Sequence, residues 1–173
     1  QDHAWLVDDF PVPGETRRAS GFSSGPGGKG FNQAVACARQ GVDTVFIGAI
    51  GRDALGECAR NFAEEEGLEA YWHCRDDMPT AASSIVVNAQ GENMIAVNLA
   101  ANECLDIDFL QSHASQFESA AIVLCQLENN LEAIDSAFRF AGKNGALRVL
   151  NPAPVHKELS RELLDSADVL TPN

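Results

Sequence analysis

The segment with the clearest potential for chemistry is a glycine-rich loop that leads directly into a predicted helix. It reads Gly25-Pro-Gly-Gly-Lys-Gly-Phe-Asn32. Glycines let the backbone approach a ligand closely, and a helix start presents unpaired N–H groups with a partial positive charge. Lys29 adds a donor, and Asn32 adds both a donor and an acceptor. The loop therefore favours a polyhydroxylated or anionic small molecule.

Two familiar nucleotide-binding loops fit this segment poorly. The Walker loop requires a hydroxyl residue after its lysine, and Gly30 follows Lys29 instead. The dinucleotide fingerprint has its glycine spacing here, but residues 20–24 make a poor buried strand, and no acidic residue ends a second strand about 20 residues later. Nicotinamide and flavin binding are therefore disfavoured. On this motif alone, a glycine loop without a ligand stays open as the alternative.

Polar side chains also follow three predicted strands, in Gln126-Leu-Glu128, Asn151-Pro-Ala-Pro154 and Thr171-Pro-Asn173. In open parallel sheets, ligands bind at the carboxyl ends of the strands. Taken singly, each of these residues also suits a turn or a helix cap. Together they indicate a binding site at one edge of the predicted sheet.

The elements that must position these residues alternate between helix and strand from residue 31 onward. Apolar spacing predicts helices over 30–40, 54–66, 107–117, 131–143 and 159–166. Short apolar runs predict strands over 44–50, 69–74, 121–126, 147–150 and 168–170. This alternation predicts right-handed βαβ units and a mainly parallel sheet buried on both faces. A hairpin over 83–98 and a segment over 17–24 interrupt it, which predicts a small second sheet at one edge.

Composition narrows the class of partner and the compartment. With 12 basic and 25 acidic residues, the net charge is −13, which argues against nucleic acid and anionic membranes. No apolar run is long enough for a spanning helix, and no secretion signal is visible. The five cysteines form no C-x-x-C pair, which predicts free thiols in a reducing cytoplasm. The four histidines are scattered, so a metal site built on them is not expected.

Seven short motifs occur in an order and spacing that resemble the ribokinase-like (pfkB) family of carbohydrate kinases, and within it the members that phosphorylate ribose. They run almost end to end along the chain: Phe10-Pro-Val-Pro-Gly-Glu-Thr16, Gly27-Gly-Lys-Gly-Phe-Asn-Gln-Ala34, Gly51-Arg-Asp-Ala-Leu-Gly-Glu57, Gly91-Glu-Asn93, Gln126-Leu-Glu128, Asn151-Pro-Ala-Pro154 and Thr171-Pro-Asn173.

The resemblance implies a three-layer α/β sandwich with a mainly parallel sheet and a small β-sheet lid. The lid would be built from segments at about 14–24 and 82–99. Residues 1–173 would be the amino-terminal part of a single domain, truncated at both ends and without the carboxy-terminal nucleotide-binding half. We expect such a piece to expose an apolar face and an edge of its parallel sheet.

The resemblance also implies roles for individual residues. A sugar site would use Asp2, Gly28, Lys29, Asn32, Ile95 and Glu128, and Asn173 would lie on the side of the nucleotide and Mg²⁺. The chemistry is consistent with these roles. Sugar hydroxyls both donate and accept, carboxylates accept, an ammonium donates, and an amide does both. The alternatives from the residues alone are a solvated terminal acid for Asp2 and a helix-start acid for Glu128.

The implied activity is transfer of the γ-phosphoryl group of ATP to D-ribose, giving ribose 5-phosphate. Mg²⁺ is the implied cofactor, a monovalent cation is common in such enzymes, and a homodimer through the lid is the implied assembly. The catalytic Asp of the family lies in a G-A-G-D string that these 173 residues lack. We therefore assign no catalytic residue and expect little or no kinase activity from this stretch alone. Phosphorylation of fructose, a deoxy-keto acid or a nucleoside, and a non-catalytic sugar-binding or dimerisation module, stay open.

Overall fold

The computed structural model describes residues 1–172, which form nine strands, six α-helices and a 3₁₀ turn at Ala100–Cys104. The strands are β1 Asp2–Leu6, β2 Gly21–Gly25, β3 Val45–Gly51, β4 Glu69–Arg75, β5 Ala82–Val87, β6 Asn93–Asn98, β7 Ile122–Gln126, β8 Leu147–Asn151 and β9 Val169–Leu170. The helices are α1 Lys29–Arg39, α2 Ala54–Glu65, α3 Ile107–Ser112, α4 Ala114–Ser119, α5 Leu131–Lys143 and α6 Arg161–Asp165.

The parallel pairing predicted for the core strands is confirmed. β3 pairs with β4, and β7 pairs with β8, which pairs with β9, all in parallel register. In the described residues these strands form two separate sheets, of two and three strands. Because parallel strands end at the same edge, Gln126 and Asn151 lie side by side at the carboxyl ends of β7 and β8.

Helices cover both faces of β3 and produce the three layers expected. On one face, α1 and α2 pack an aromatic cluster of Phe31, Phe46, Phe62 and Trp72 against the strands. On the other face, α3, α4 and α5 bury a second cluster that includes Ala49. Burial of the aromatic cluster on the first face is the main force that holds α1 in place. The glycine loop leads directly into this helix.

The prediction that strands β7 to β9 are buried on both faces is wrong for one of the two faces. Helices α5 and α6 cover the face that carries Val123, Cys125 and Leu150. Burial raises the pKa of the Cys125 thiol to about 12. The opposite face is apolar and exposed; its exposed side chains are Ile122, Leu124, Leu147 and Val169.

A third sheet, which we call the lid sheet, has four strands in the order β2-β1-β5-β6. β1 pairs in parallel with β5 and antiparallel with β2, while β5 and β6 form the predicted hairpin. Its bounds differ from the sequence-based ones in two ways. The first segment is a strand only over Gly21–Gly25, and β1 is a central strand of this sheet.

The single helix predicted over 107–117 is two short helices. α3 ends at Ser112 and α4 begins at Ala114, because the backbone of His113 leaves the helical conformation, with φ −111° and ψ 23°. The ring Nδ1 of His113 contacts the carbonyl oxygen of Phe109 at 2.8 Å. No helix in the described part of the chain has the length and apolar character that crossing a membrane requires. The five cysteines are free thiols.

Candidate functional site

The glycine loop connects the lid sheet to the first helix of the core. β2 ends at Gly25 and α1 begins at Lys29, so the residues between them span the junction. Gly28 is the N-cap of α1 and has φ 97°, a left-handed conformation that favours glycine. The backbone N–H of Asn32 donates to the carbonyl oxygen of Gly28 at 2.9 Å, which closes the first helical turn.

Glu128 lies against the start of α1, as a partner of Lys29. One carboxylate oxygen of Glu128 accepts from the backbone N–H of Lys29 at 2.7 Å, and the other lies 2.9 Å from the Lys29 ammonium. The Glu128 side chain is 16% exposed and the Lys29 side chain 37%. The carboxylate therefore satisfies an unpaired N–H and the positive end of the helix dipole. Glu128 is thus also an acid at a helix start, and the helix is α1.

Local structure on both sides of Glu128 fixes its position. Leu127 is fully buried, and its N–H donates to the carbonyl oxygen of Ala153 at 3.1 Å. Asn130 caps α5 by accepting from the N–H of Ala133 at 2.8 Å. Glu128 is thus held on a short turn between a buried strand end and a capped helix, which directs its carboxylate at the loop.

Asp2 lies against the same loop from the side of the lid sheet. Its Oδ1 accepts a hydrogen bond from the hydroxyl of Ser83 at 2.6 Å. A Cβ atom on Gly27 would fall 2.0 Å from Oδ2 of Asp2, so no side chain is tolerated at position 27 while the carboxylate lies there. The absence of a side chain at Gly27 is what allows the carboxylate to contact the loop.

The two carboxylates therefore flank consecutive glycines. Asp2 contacts Gly27, and a Cβ on Gly28 would lie 3.7 Å from Oε2 of Glu128. One acid comes from the lid sheet and the other from the turn after β7, far apart in the sequence. The Lys29 ammonium lies beside Glu128, so this loop is lined by two acids that accept and one ammonium that donates, which suits a ligand with several hydroxyl groups.

The other predicted sugar residues occupy different surroundings. Asn32 is exposed on the first turn of α1. Ile95 is 58% exposed on β6, and the strand register places it on the same face of the lid sheet as Asp2 and Ser83. The predicted nucleotide-side residue, Asn173, lies outside the described residues.

The amides at the strand ends bond within the protein. The Gln126 side chain donates to the side-chain oxygen of Gln33 on α1, and a Cβ on Gly30 would lie 2.5 Å from Oε1 of Gln126. The Asn151 amide donates to the carbonyl oxygen of Thr171 at 2.6 Å. Both Gln126 and Asn151 are buried. Sequence reasoning did not identify the role of Gln126 in holding the helix start, nor that of Ser83 beside Asp2.

A buried junction ties the lid sheet to the core. The Asp53 carboxylate accepts from the N–H of Gly56 at 2.8 Å, and from both the N–H and the hydroxyl of Thr80 at 2.8 and 2.6 Å. Partial burial raises the pKa of Asp53, but the hydrogen bonds from Thr80 and Gly56 outweigh it and hold that pKa below its ordinary value. Asp53 thereby caps α2, as predicted, and also anchors the segment that enters β5.

The donor set among residues 1–172 does not suit a metal ion. No group of three or more His, Cys, Asp and Glu side chains within this range is arranged to hold one. We therefore assign no Mg²⁺ ligand among these residues.

Comparison with known proteins gives a consistent result. The sequence model of the "pfkB family carbohydrate kinase" matches residues 2–173. The ribokinase of Haemophilus influenzae is 37% identical over 173 residues, which covers 99% of this chain and 56% of that protein. The chain thus spans about half the length of the curated relatives it matches.

Two solved structures are similar in fold over nearly the whole chain. The ribokinase of Giardia lamblia has a TM-score of 0.92 at 30% identity, covering 99% of this chain and 54% of that one. The ribokinase of Arabidopsis thaliana, solved in complex with ribose and ATP, has a TM-score of 0.82 at 28% identity, covering 99% of this chain and 56% of that one.

Proposed function

The chain belongs to the pfkB family of carbohydrate kinases and has the ribokinase-like α/β fold, and on that premise we propose that it forms the sugar-binding part of an enzyme that phosphorylates D-ribose to ribose 5-phosphate. One observation carries the proposal. Asp2 and Glu128 approach consecutive glycines of one loop from two different sheets, and the Lys29 ammonium lies 2.9 Å from a carboxylate oxygen of Glu128. Such a cluster of acceptors and one cation matches a small ring bearing several hydroxyl groups.

Each residue of the proposed site has a distinct task. The carboxylates of Asp2 and Glu128 accept hydrogen bonds from sugar hydroxyls, and the Lys29 ammonium donates one. Asn32, exposed on the first turn of α1, donates and accepts at the open side. The loop contributes backbone at Gly28, and Ile95 on the lid sheet supplies an apolar contact. A sugar that lacked a hydroxyl would leave one of these groups unpaired, and this is the basis of selectivity.

The lid sheet serves a second purpose in the proposed reaction. When it covers a bound sugar, it excludes water, so the phosphoryl group of ATP passes to the primary hydroxyl of the sugar and not to water. When bound, Mg²⁺-ATP supplies the phosphoryl group with its charge partly neutralised. We propose Asn173 on the nucleotide side, and we assign no general base among residues 1–172. A monovalent cation is a further proposed cofactor.

An exposed apolar face supports the proposed domain organisation of the chain. We propose that residues 1–173 are the amino-terminal part of a single ribokinase-like domain, and the exposed apolar face of β7, β8 and β9 supports this, because such faces are covered in intact sandwiches.

We also propose a homodimer through the lid sheet. Exposed Leu6, Met94 and Val97 support it, and the lid strands contain no Lys, Arg or Glu. The free cysteines support a cytoplasmic location.

A substrate panel tests the proposed function. The natural full-length protein is assayed with Mg²⁺-ATP and D-ribose, 2-deoxy-D-ribose, D-fructose and adenosine. We expect the highest kcat/KM for D-ribose. Glu128→Gln keeps the shape of the side chain and removes its charge, and we expect kcat/KM for ribose to fall about 10- to 100-fold, because hydrogen bonds to charged groups contribute about 1.5–3 kcal/mol. Faster turnover of fructose or adenosine than of ribose would overturn the choice of substrate.

A further inference from the structure

We propose that Ser83 is a positioning residue for Asp2 and that it sets how strongly the site discriminates at the sugar hydroxyl that Asp2 accepts. The inference rests on the proposed sugar-binding function. It concerns a residue outside the motifs that carry the family resemblance, because Ser83 lies between Gly51–Glu57 and Gly91–Asn93 and belongs to neither.

The strand register brings Ser83 to Asp2. In the parallel pair of β1 and β5, Asp2 is the direct partner of Ser83, so their side chains leave the sheet on the same face. The Ser83 hydroxyl donates to Oδ1 of Asp2 at 2.6 Å. The backbone N–H of Ser83 donates to the carbonyl oxygen of Gln1 at 2.8 Å, and this bond holds β1 and β5 in register beside the Asp2–Ser83 pair.

The glycine loop restricts the Asp2 carboxylate from the side opposite Ser83. Oδ2 of Asp2 lies so close to Gly27 that a Cβ there would be 2.0 Å away. With Oδ1 bonded to Ser83 and Oδ2 packed on the loop, the carboxylate is held from both sides. A group held in its binding geometry before the ligand arrives loses less conformational entropy on binding, which improves affinity and selectivity.

Glu128 has a charged partner and Asp2 has a neutral one. This difference makes Asp2 the acid that discriminates more strongly between sugars with and without the hydroxyl it binds. Glu128 is paired with the Lys29 ammonium, which neutralises much of its charge. Asp2 is oriented by a neutral hydroxyl, so its negative charge stays available to a sugar hydroxyl. Removal of the Ser83 hydroxyl removes the hydrogen bond that orients Asp2, and this weakens the contact of Asp2 with the sugar hydroxyl.

The anchoring of β5 supports the same role. Thr80, three residues before Ser83, is held by the Asp53 carboxylate through its N–H and its hydroxyl. A Cβ on Gly51 would lie 2.7 Å from the Thr80 nitrogen, so the backbone of this segment packs directly on the end of β3. These contacts fix the position of the Ser83 hydroxyl relative to the core. A positioning residue needs such a rigid support.

The test uses two pairs of variants of the natural full-length protein. Ser83→Ala removes the hydroxyl, and Ser84→Ala is the matched control, because Ser84 is the next residue of the strand and points to the opposite face. Ser83→Thr and Ser83→Val are a second pair of nearly equal shape that differ in the hydroxyl. This pair keeps the test valid if the alanine variant is unstable.

We measure the dissociation constant of D-ribose by calorimetry, and KM and kcat by the coupled kinase assay. For Ser83→Ala and Ser83→Val we expect the dissociation constant and KM to rise about tenfold with kcat within about twofold of wild type, the size of one charge-assisted hydrogen bond. Ser83→Thr and Ser84→Ala stay within about twofold of wild type in all three quantities. A role confined to folding would not separate Thr from Val in this way.

Riboses that each lack one hydroxyl identify the contact. Asp2→Asn loses discrimination against the analogue that lacks the hydroxyl bound by Asp2, and we expect Ser83→Ala to lose part of it against the same analogue. If wild type binds D-ribose and Ser83→Val binds it as tightly as Ser83→Thr, the inference about Ser83 is overturned and the proposed function stands. If wild type binds none of the sugars in the panel, the proposed function is overturned and the inference falls with it.

Discussion

The lid sheet and the helix-covered strands differ in what they do with their apolar side chains. Around β3, β7 and β8, residues such as Phe138 and Leu150 are almost entirely buried and belong to clusters that join helices to strands. In the lid sheet, Phe22 and Met94 are exposed, and none of the buried clusters found in residues 1–172 includes a lid strand.

The comparison indicates that the helix-covered strands carry most of the stability, while the proposed site takes residues from both parts of the chain. The helix-covered strands bury enough apolar surface to fix α1 and the turn that carries Glu128. The lid sheet contributes Asp2, Ser83 and Ile95 to the proposed site and depends on the junction at Asp53 for its position. Four predictions test this contrast, and the last of them concerns the glycine loop where the two parts meet.

The largest effect is expected from deletion of a core side chain. Phe138 is 1% exposed and Phe22 is 61% exposed. Phe138→Ala should lower the free energy of unfolding by about 3–5 kcal/mol, because it leaves a cavity. Phe22→Ala, its matched control in the lid sheet, should change it by about 0.5 kcal/mol or less. Urea unfolding followed by circular dichroism measures both, and equal losses would contradict the contrast.

The junction between the two parts should give an intermediate effect. Asp53→Ala removes the cap of α2 and leaves Thr80 without its acceptor, so we expect a loss of about 2 kcal/mol in the free energy of unfolding. Asp106→Ala is the control. Asp106 caps α3 by accepting from the N–H of Phe109 at 2.7 Å and makes no bond to the lid sheet.

Hydrogen exchange distinguishes a local effect from a global one at this junction. We expect Asp53→Ala to increase exchange in β5 and β1, whereas Asp106→Ala should cost about 1 kcal/mol and leave exchange in those strands as in wild type. Unchanged protection of β5 in Asp53→Ala would show that the junction does not hold the lid sheet.

Secondary structure was predictable from local signals where those signals were complete. Helix α5 has the predicted bounds because Asn130 caps it, apolar residues recur at helical spacing, and Gly145 follows its end. The β5–β6 hairpin was recognisable from the polar turn at 89–92 between two strand-like runs. The break at His113 was not predictable, because the apolar spacing continues across it and no sequence signal that we recognised marks the change in its backbone conformation.

Contacts between distant segments set the limit on what sequence alone could give for the site. The loop, Asp2 and Glu128 were identified individually, but the pairing of Glu128 with Lys29 spans 99 residues and depends on how α1 packs against β7. The place of β1 in the lid sheet depends on parallel pairing with β5, about 80 residues away. No local pattern encodes such pairings, so Ser83 had no signal in the sequence.

The smallest effect is expected at the surface of the helix-covered part. The Arg148 side chain and backbone N–H both donate to Asp168, and they lower the pKa of that carboxyl to about 2. Its pKa in the unfolded chain is about 3.9. The pair therefore stabilises the fold above about pH 4 and ceases to do so as the pH falls through about 2.

Urea unfolding of wild type and Asp168→Asn at several pH values checks this sign. We expect wild type to be slightly more stable near pH 6, with the difference shrinking as the pH falls toward 2. The pair is solvent-exposed, so the difference should be smaller than either loss above. A difference that grows on acidification would have the wrong sign for a lowered pKa.

The contact of Asp2 with the glycine loop can be tested by a single methyl group. We would titrate D-ribose into the natural full-length protein and into its Gly27→Ala and Gly25→Ala variants by calorimetry. A Cβ at Gly27 would displace the Asp2 carboxylate, whereas a Cβ at Gly25 meets no atom within 4 Å. We predict that Gly27→Ala loses measurable ribose binding and that Gly25→Ala binds as wild type does. Equal ribose affinity in the two variants would contradict a sugar site formed by Asp2 at this loop.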